Sequence, residues 1–352
     1  MSKPLTDDEL IYTLKVHNKN DSQIVPTCAE LGISPRALYA RLQSAKGKGL
    51  VLSNQADKPH DFDALGEPIL DVDIDELLER RRSTWDHKEK VYNSRKLIPV
   101  RINIRGPIGI AHFGDPHLDD DGTNFRLIEE HVQIIQKTPG LFGATVGDLQ
   151  NNWVGRLGRL YGEQSTSAAE SWALTEWFVN AVDWLYMVEG NHDCWTGAGD
   201  PVQWMMQRKH GICQANGARL NLIFHNGCEV RVNARHDFQG RSMWNPAHGP
   251  SRAVQMGWKD HILTCGHTHI SGYNVLKCPM TALISHALRI ASYKHIDRYA
   301  DEKGLPDHNI FECPITIINP YTDNKKTRVQ VFFDPLEGAE YLTYLRKKYK
   351  NE

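Results

Sequence analysis

The sequence predicts an α/β fold preceded by a small all-helical module, and three observations carry that prediction. From Gly106 onward, short apolar runs of strand length alternate with segments of helical spacing. Five of the strand-like runs stop at turns bearing Asp, Asn or His, and strand ends are where open α/β sheets place their sites. Residues 7 to 50, by contrast, read as three short helices.

The 352 residues exceed one average domain and suit one large α/β domain with an appendage. A net charge of -2 gives no global pull toward nucleic acid or membrane, so any such attraction must come from local patches. The seven cysteines, Cys28, Cys194, Cys213, Cys228, Cys265, Cys278 and Cys313, form no C-x-x-C pair. That argues against a disulfide framework or a zinc knuckle and fits a reducing compartment. The N-terminus is polar and acidic, and no stretch approaches ~18 apolar residues. The expectation is a cytoplasmic protein without a membrane segment.

In chain order, residues 1–50 form the helical module, with helices over Asp7 to about His17, about Pro26 to Leu31, and Pro35 to about Lys46. Gly32 can end the second helix in a left-handed conformation, Ser34 can cap the third, and Pro35 takes its first position. Pro26 shortens the middle helix in this reading. Leu38, Leu42 and Ala45 share one face of the third helix, leaving Arg36, Tyr39, Ala40 and Gln43 toward solvent. The arrangement resembles a helix-turn-helix. No acidic residue occurs from Gly32 through Ala56, so Arg36, Tyr39, Arg41, Lys46 and Lys48 are the candidate DNA contacts. The alternative is a docking or dimerising module with a solvated basic face.

Residues 51–99 read as a Gly/Pro-bearing linker and then a charged helix from about Asp75 to Lys96, whose run Glu79-Arg80-Arg81-Arg82 suits a solvated face. The large domain is placed at 100–335 and opens on an edge-strand pattern, Val100 to Ile104. Pro107 to Phe113 is a buried strand stopping at Gly114-Asp115-Pro116-His117. Phe125, Ile128, Val132 and Ile135 then keep helical spacing, and Leu141 to Val146 is a strand ending at Gly147-Asp148. A helix over Ser165 to Asn180 sets Ala169, Trp172, Ala173 and Trp177 on one face. Leu185 to Val188 ends at Gly190-Asn191-His192-Asp193, Glu229 to Asn233 precedes His236, and Ile262 to Thr264 ends at Gly266-His267-Thr268-His269. Residues 271 to 335 read as further strands around a polar segment, Arg289 to Asp307, which includes Lys294, His295 and Arg298 and could cap the site. Residues 336–352 form a basic helix packed on the surface.

Carboxylate, amide and imidazole groups at five strand ends suit a metal centre. The seven candidates divide into two sets if one carboxylate is shared. Asp115, His117 and His269 can hold one ion and Asn191, His236 and His267 another, with Asp148 bridging both. Two divalent ions ~3.5 to 4 Å apart can hold a hydroxide between them and neutralise phosphoryl oxygens. A mixed oxygen and imidazole set without thiolate points to manganese, with Fe, Zn or Mg as alternatives. His192 is left over as a proton donor to the leaving oxygen, and Asp193 could orient its ring. His248 is the rival for the fourth position; His236 is preferred because it directly follows a strand.

Those five motifs, in that order, resemble the calcineurin-like metallophosphoesterases over about residues 105 to 275. The resemblance implies two mixed β-sheets packed as a sandwich flanked by helices, with a dinuclear site at the loops. The DNA-repair exonuclease branch and phage-encoded members with an N-terminal extension look most similar, which would place the protein in a host cytoplasm. The protein phosphatase branch carries Arg four residues after the second-motif Asp, where this chain has Asn152. That turns the expectation away from phosphoprotein substrates.

Arg156 and Arg159 could grip a substrate phosphate, or be surface arginines on a loop. Trp153, Trp195 and Trp244 could stack on bases, although most of the nine tryptophans must be core. His112 reads as a core histidine, and Asp119, Asp120 and Asp121 as a solvated acidic loop. The functional expectation is a dinuclear phosphoesterase cleaving phosphodiesters, with DNA as substrate and partner. The alternatives are a phosphomonoesterase or nucleotide hydrolase, and a DNA-binding regulatory protein with a non-catalytic metal site. Oligomeric state is left open between monomer and homodimer.

Overall fold

Local chemistry sets the first three helices of the computed structural model, α1 (Asp7–Lys19), α2 (Ile24–Leu31) and α3 (Pro35–Gly47). The Thr6 hydroxyl accepts the Glu9 N–H while the Glu9 carboxylate accepts the Thr6 N–H, a reciprocal cap. Gly32 stops α2 at φ 64°, and Ser34 caps α3 with Pro35 in its first turn. α2 begins two residues before the expected Pro26. The proline falls in the first turn, where a missing N–H forfeits no helical bond, so it does not shorten the helix.

The structure describes residues 5–50, 73–195, 199–296, 301–302, 304 and 309–349, apart from the side chains of residues 156 and 163. The expected linker, the Arg298 position and Lys350 fall outside these residues. Two compact units divide between Leu77 and Leu78. In the first, Leu10, Val16, Leu38 and Ala45 form the core. α4 (Ile74–Arg95), the expected charged helix, buries no residue.

The strands of the second unit are β1 (Ile98–Arg101), β2 (Ile108–Phe113), β3 (Leu141–Thr145), β4 (Trp184–Glu189), β5 (Ile212–Ala215) and β6 (Gly217–Ile223). They continue as β7 (Glu229–Arg235), β8 (Ile262–Cys265), β9 (Gly272–Lys277), β10 (Ile284–Arg289), β11 (Ile315–Ile318) and β12 (Val329–Phe332). Its helices are α5 (Phe125–Lys137), α6 (Ala168–Ala181), α7 (Asn191–Cys194), α8 (Pro201–Met206), α9 (His248–Gln255) and α10 (Pro335–Lys348), with a 3₁₀ helix at Gly155–Glu163. One six-stranded sheet has the order β12-β11-β2-β3-β4-β5 and the other β1-β6-β7-β8-β10-β9. Both are mixed: β2 to β5 run parallel while β11 opposes β2, and β7, β8 and β10 run parallel while β9 opposes β10.

Strand alternation decides what each face buries. Leu220 and Leu222 of β6 and Val230 and Val232 of β7 enter one apolar layer with Ile108 and Ile110 of β2 and Val188 of β4. The layer draws on both sheets, which therefore pack face to face. Ile128, Val132, Phe178 and Leu342 bring α5, α6 and α10 onto the outer face of the β2 sheet. Ala253 and Val254 bring α9 onto Leu263 and Cys265 of the other.

Within the interlayer runs one polar chain. His112 Nε2 meets Thr316 Oγ1 at 2.8 Å and Nδ1 meets the Tyr186 hydroxyl at 3.0 Å, and that hydroxyl reaches Thr264 Oγ1 at 3.3 Å across to the other sheet. Burial pushes His112 down to about 3, so the ring is neutral. It is the core histidine expected.

One expectation fails. The buried face of α6 is Ser171, Thr175, Phe178 and Val179, and Trp177 is instead 38 % exposed. Ser171 donates to Asp119 and Thr175 to the Ser171 carbonyl, so small hydroxyl side chains make the close contact that apolar counting gave to tryptophan. α10, the basic helix expected at the surface, packs on the sheet through Ala339, Leu342 and Leu345. Leu342→Ala, at a fully buried site, is expected to lower stability by about 2–5 kcal/mol in denaturant unfolding without changing the ligand turns.

Candidate metal centre

Parallel strands send their C-terminal ends one way. β2, β3 and β4 deliver Asp115 and His117, Asp148, and Asn191 with His192, while β7 and β8 deliver His236, and His267 with His269. Five turns from two sheets thus meet at one end of the sandwich, and the seven predicted ligands converge there. His236 Nε2 lies 2.9 Å from Asn191 Oδ1, 2.9 Å from His267 Nδ1 and 3.2 Å from Asp148 Oδ2. His117 Nε2 and His269 Nε2 lie 3.1 Å apart, with Asp115 Oδ2 3.7 Å from the latter. The backbone joins the two groups, because the His117 N–H donates to the Asp148 carbonyl at 3.1 Å.

These separations fit cations. Donors ~2.1 Å from one ion and at near right angles lie about 3 Å apart. Asp148, His236 and His267 alone bring three ligand atoms within 4.8 Å of one another. His236 Nδ1 faces the Val146 carbonyl at 2.9 Å, which fixes the ring and aims Nε2 into the cluster, as a ligating imidazole requires. Asp115 Oδ1 and His117 Nδ1 are buried without hydrogen-bond partners. An unsatisfied buried group costs about 1–3 kcal/mol, and a cation would remove that cost for the carboxylate.

The charges agree. Burial pushes the Asp115 carboxyl well above its ordinary value, with Asp148 adding repulsion. Burial also acts upward on Asp148, but hydrogen bonding and charge from His236 prevail and hold it low. Burial and the neighbouring His269 push His117 well down, into the neutral form that metals bind. Burial lowers His236 too, yet the hydrogen bond to Asp148 and the charge of Asp115 carry it up to about 9. Without metal, a proton on His236 supplies the positive charge the carboxylates need.

The backbone is strained here. His117, Asp148, His267 and His269 all have φ between 41° and 69°, a region that side-chain-bearing residues rarely occupy. Such strain costs of order 1–3 kcal/mol per residue and gathers at functional sites. The neighbouring glycines answer close approach: a Cβ on Gly190 would sit 2.1 Å from Asp148 Oδ1, and one on Gly266 2.4 Å from Asp115 Oδ1.

His192 flanks the cluster, its Nε2 4.0 Å from Asp148 Oδ2. Asp193 does not orient that ring. Its carboxylate accepts the N–H groups of Leu149 at 3.0 Å and Gly190 at 2.8 Å, tying the second and third turns together. The Asn151 carbonyl holds His192 Nδ1, and Trp153 and Trp195 pack on the ring at 5.4 and 4.2 Å between centroids. Trp244 is 90 % exposed instead. Asn152, at the departure from the phosphatase pattern, donates to the His192 carbonyl at 2.7 Å. His248 opens α9, whereas His236 stands within hydrogen-bond distance of Asn191 and His267 in the cluster. Arg159 is exposed on the 3₁₀ helix, and the Arg156 side chain lies outside the described residues.

The acidic loop is solvated only in part: Asp121 is exposed as expected and Asp120 half-buried, but Asp119 is not solvated. Asp119 is buried and accepts the Asn151 N–H at 2.7 Å and the Ser171 hydroxyl at 2.6 Å, so it holds the peptide that holds His192. Asp120 binds Asn151 Nδ2 at 2.9 Å and Lys294 at 3.1 Å, and Asp121 accepts the Ser165 N–H at 2.9 Å. Arg289, expected in a capping segment, is buried at the end of β10 and donates to the carbonyls of Gly266 at 2.8 Å and Pro246 at 2.9 Å. It braces the fifth turn. Sequence reading missed both roles; an acidic run directly after a ligand turn was the available signal for Asp119.

No protein-family model matches the chain, and no curated protein sequence does. Among solved structures it is similar to wild-type Vps29 from Entamoeba histolytica complexed with zinc, at 12 % identity and a TM-score of 0.29, covering 64 % of this chain and 100 % of that one. What the site can do follows from its own atoms.

The raised His236 gives a pH test. Its folded value lies above the ordinary 6.5, so its stabilisation is complete below that pH and is lost as pH rises through about 9. Asp193, raised to about 7 by burial and by Asp148, acts in the same direction. A ligating His236 carries no such proton. The melting temperature of chelator-treated protein is therefore expected to fall between pH 6.5 and 9, and saturating manganese to flatten that fall in scanning calorimetry.

Proposed function

We propose that this protein is a dinuclear metal-dependent phosphodiesterase of the calcineurin-like type, acting on DNA. The observation that carries the proposal is the convergence of seven side chains from five strand-end turns, with donor pairs about 3 Å apart and unpartnered buried atoms among them. Asp115, His117 and His269 would hold one divalent cation, Asn191, His236 and His267 another, and Asp148 would serve both. Manganese is the expected ion. When bound, the cations supply positive charge for the phosphoryl oxygens and an acidified water at neutral pH.

The protein's own groups do the rest. His192 holds its Nδ1 proton on the Asn151 carbonyl, which turns Nε2 toward the cluster, where the doubly protonated ring would give its Nε2 proton to the leaving oxygen and be left neutral. Trp153 and Trp195 restrict the ring. Asp193 is assigned no proton transfer; it locks the two turns that carry Asp148 and His192. Purified protein with manganese should cleave bis(p-nitrophenyl) phosphate and single- or double-stranded DNA. His192→Ala should lower kcat by about 10²–10⁴-fold while leaving metal stoichiometry intact, and a chelator should abolish turnover. Absence of metal-stimulated cleavage of every diester would overturn the proposal.

The DNA assignment draws on α3, where Arg36, Tyr39 and Lys46 are exposed. Arg41 and Lys48 are engaged within the module, Arg41 with Thr13 at 3.4 Å and Lys48 with Asp7 at 2.6 Å. Replacing both Arg36 and Lys46 by Ala should weaken DNA binding and reduce the slope of log K against log salt by about 2, with hydrolysis of the small diester unchanged. An unaltered salt slope would remove α3 from the DNA contact.

A further inference from the structure

A second site lies at the other end of the sandwich. His261 precedes β8 and His267 follows it, so extended chain of about 20 Å separates them. Around His261 opens a cavity of about 480 Å³, a volume within the range of small-ligand sites. Arg219, Arg231, Lys259, Lys325 and Arg328 line it. Among the described residues, the one carboxylate ion-paired with any of these five is Asp260. It is fully buried and is taken by Arg219, at 2.8 and 2.9 Å, with Arg231 Nε at 3.3 Å. Five cations against one carboxylate leave a strong positive excess in a partly enclosed space, where such charges focus the field.

The cations are also held in place. Arg231 Nη2 donates to the Lys259 carbonyl at 2.8 Å, Arg328 Nη2 donates to the Thr322 carbonyl at 2.9 Å, and Arg219 lies over the Trp258 ring at 5.0 Å. Arg328 Nε is buried with no hydrogen-bond partner. The Arg231 N–H donates to His261 Nδ1 at 3.1 Å, which leaves the ring proton on Nε2. Burial, then the charges of Arg231 and Arg328, push His261 down to about 4, so it is a neutral donor at pH 7. Leu283, Ile284 and Val329 supply an apolar wall.

Fixed guanidinium forks, an ammonium pair and a neutral imidazole beside an apolar wall suit a multiply charged head with an apolar body. We propose that this pocket binds a small phosphate ester carrying at least two negative charges, such as a nucleoside monophosphate. The proposal does not depend on the histidine cluster.

The test is calorimetric titration of the metal-depleted, full-length protein with adenosine monophosphate, with inorganic pyrophosphate and citrate as separate arms. Adenosine monophosphate is expected to bind at one site and to weaken as salt rises. Arg231→Gln with Arg328→Gln should weaken it about tenfold or more, and Asp148→Asn should leave it unchanged. Lys259→Gln with Lys325→Gln, at exposed positions, guards against a folding defect in the arginine variant and should also weaken binding. Pyrophosphate binding without adenosine monophosphate binding would reject the ester. Stronger citrate binding would reject phosphate. Binding lost in Asp148→Asn but kept in both pocket variants, or no binding at all, would overturn the site.

Discussion

Two carboxylates buried between imidazoles at the end of a sandwich are the constraint on which the rest of this structure depends. Asp115 and Asp148 are almost wholly removed from water, and a buried charge is tolerated only when it is paired and hydrogen-bonded. The backbone N–H of His267 reaches Asp115 at 2.6 Å, and that of His192 reaches Asp148 at 3.0 Å. Each carboxylate therefore organises a turn from another part of the chain as well as its own. Glycines, left-handed ligands and the buried Arg289 all answer the same demand, because five turns must approach closely enough for side chains from each to share one small volume.

Much of this was legible in the residues. Short apolar runs stopped by glycine marked β2, β3, β4 and β8 to within about two residues, because buried strands leave little choice of composition. The seven ligand candidates were legible for a different reason: Asp, Asn and His recurred at strand ends, where parallel sheets concentrate their chemistry. The turn at Gly32, Ser34 and Pro35 took its expected form since each residue has a strong local preference there.

What stayed hidden was nonlocal and polar. Ser171 and Thr175 make the inner face of α6 through bonds to Asp119 and to a helical carbonyl, and nothing in helical periodicity predicts a hydroxyl at a core contact. The roles of Asp119 and Asp193 depend on which N–H groups the fold brings to them. Arg289 reads in sequence as part of a polar segment that could cap the site, but four acceptors, on Asp237, Pro246, Gly266 and Thr268, converge on it. The proline in α2 was misjudged because its effect depends on its place within the first turn.

The polar chain through His112, Tyr186, Thr316 and Thr264 has a further effect on the histidine cluster. Asp115, Asp148 and Asn191 ride on one sheet, while His236, His267 and His269 ride on the other. Interdigitated aliphatic side chains already resist sliding of the two sheets, and a directional polar contact adds to that resistance. Sliding here would break the Tyr186–Thr264 hydroxyl contact, the link of this chain that crosses between the sheets, while His112 holds the Tyr186 hydroxyl in place from within its own sheet. The alignment of the two halves of the cluster is thus supported from deep in the core, by a contact that never touches it.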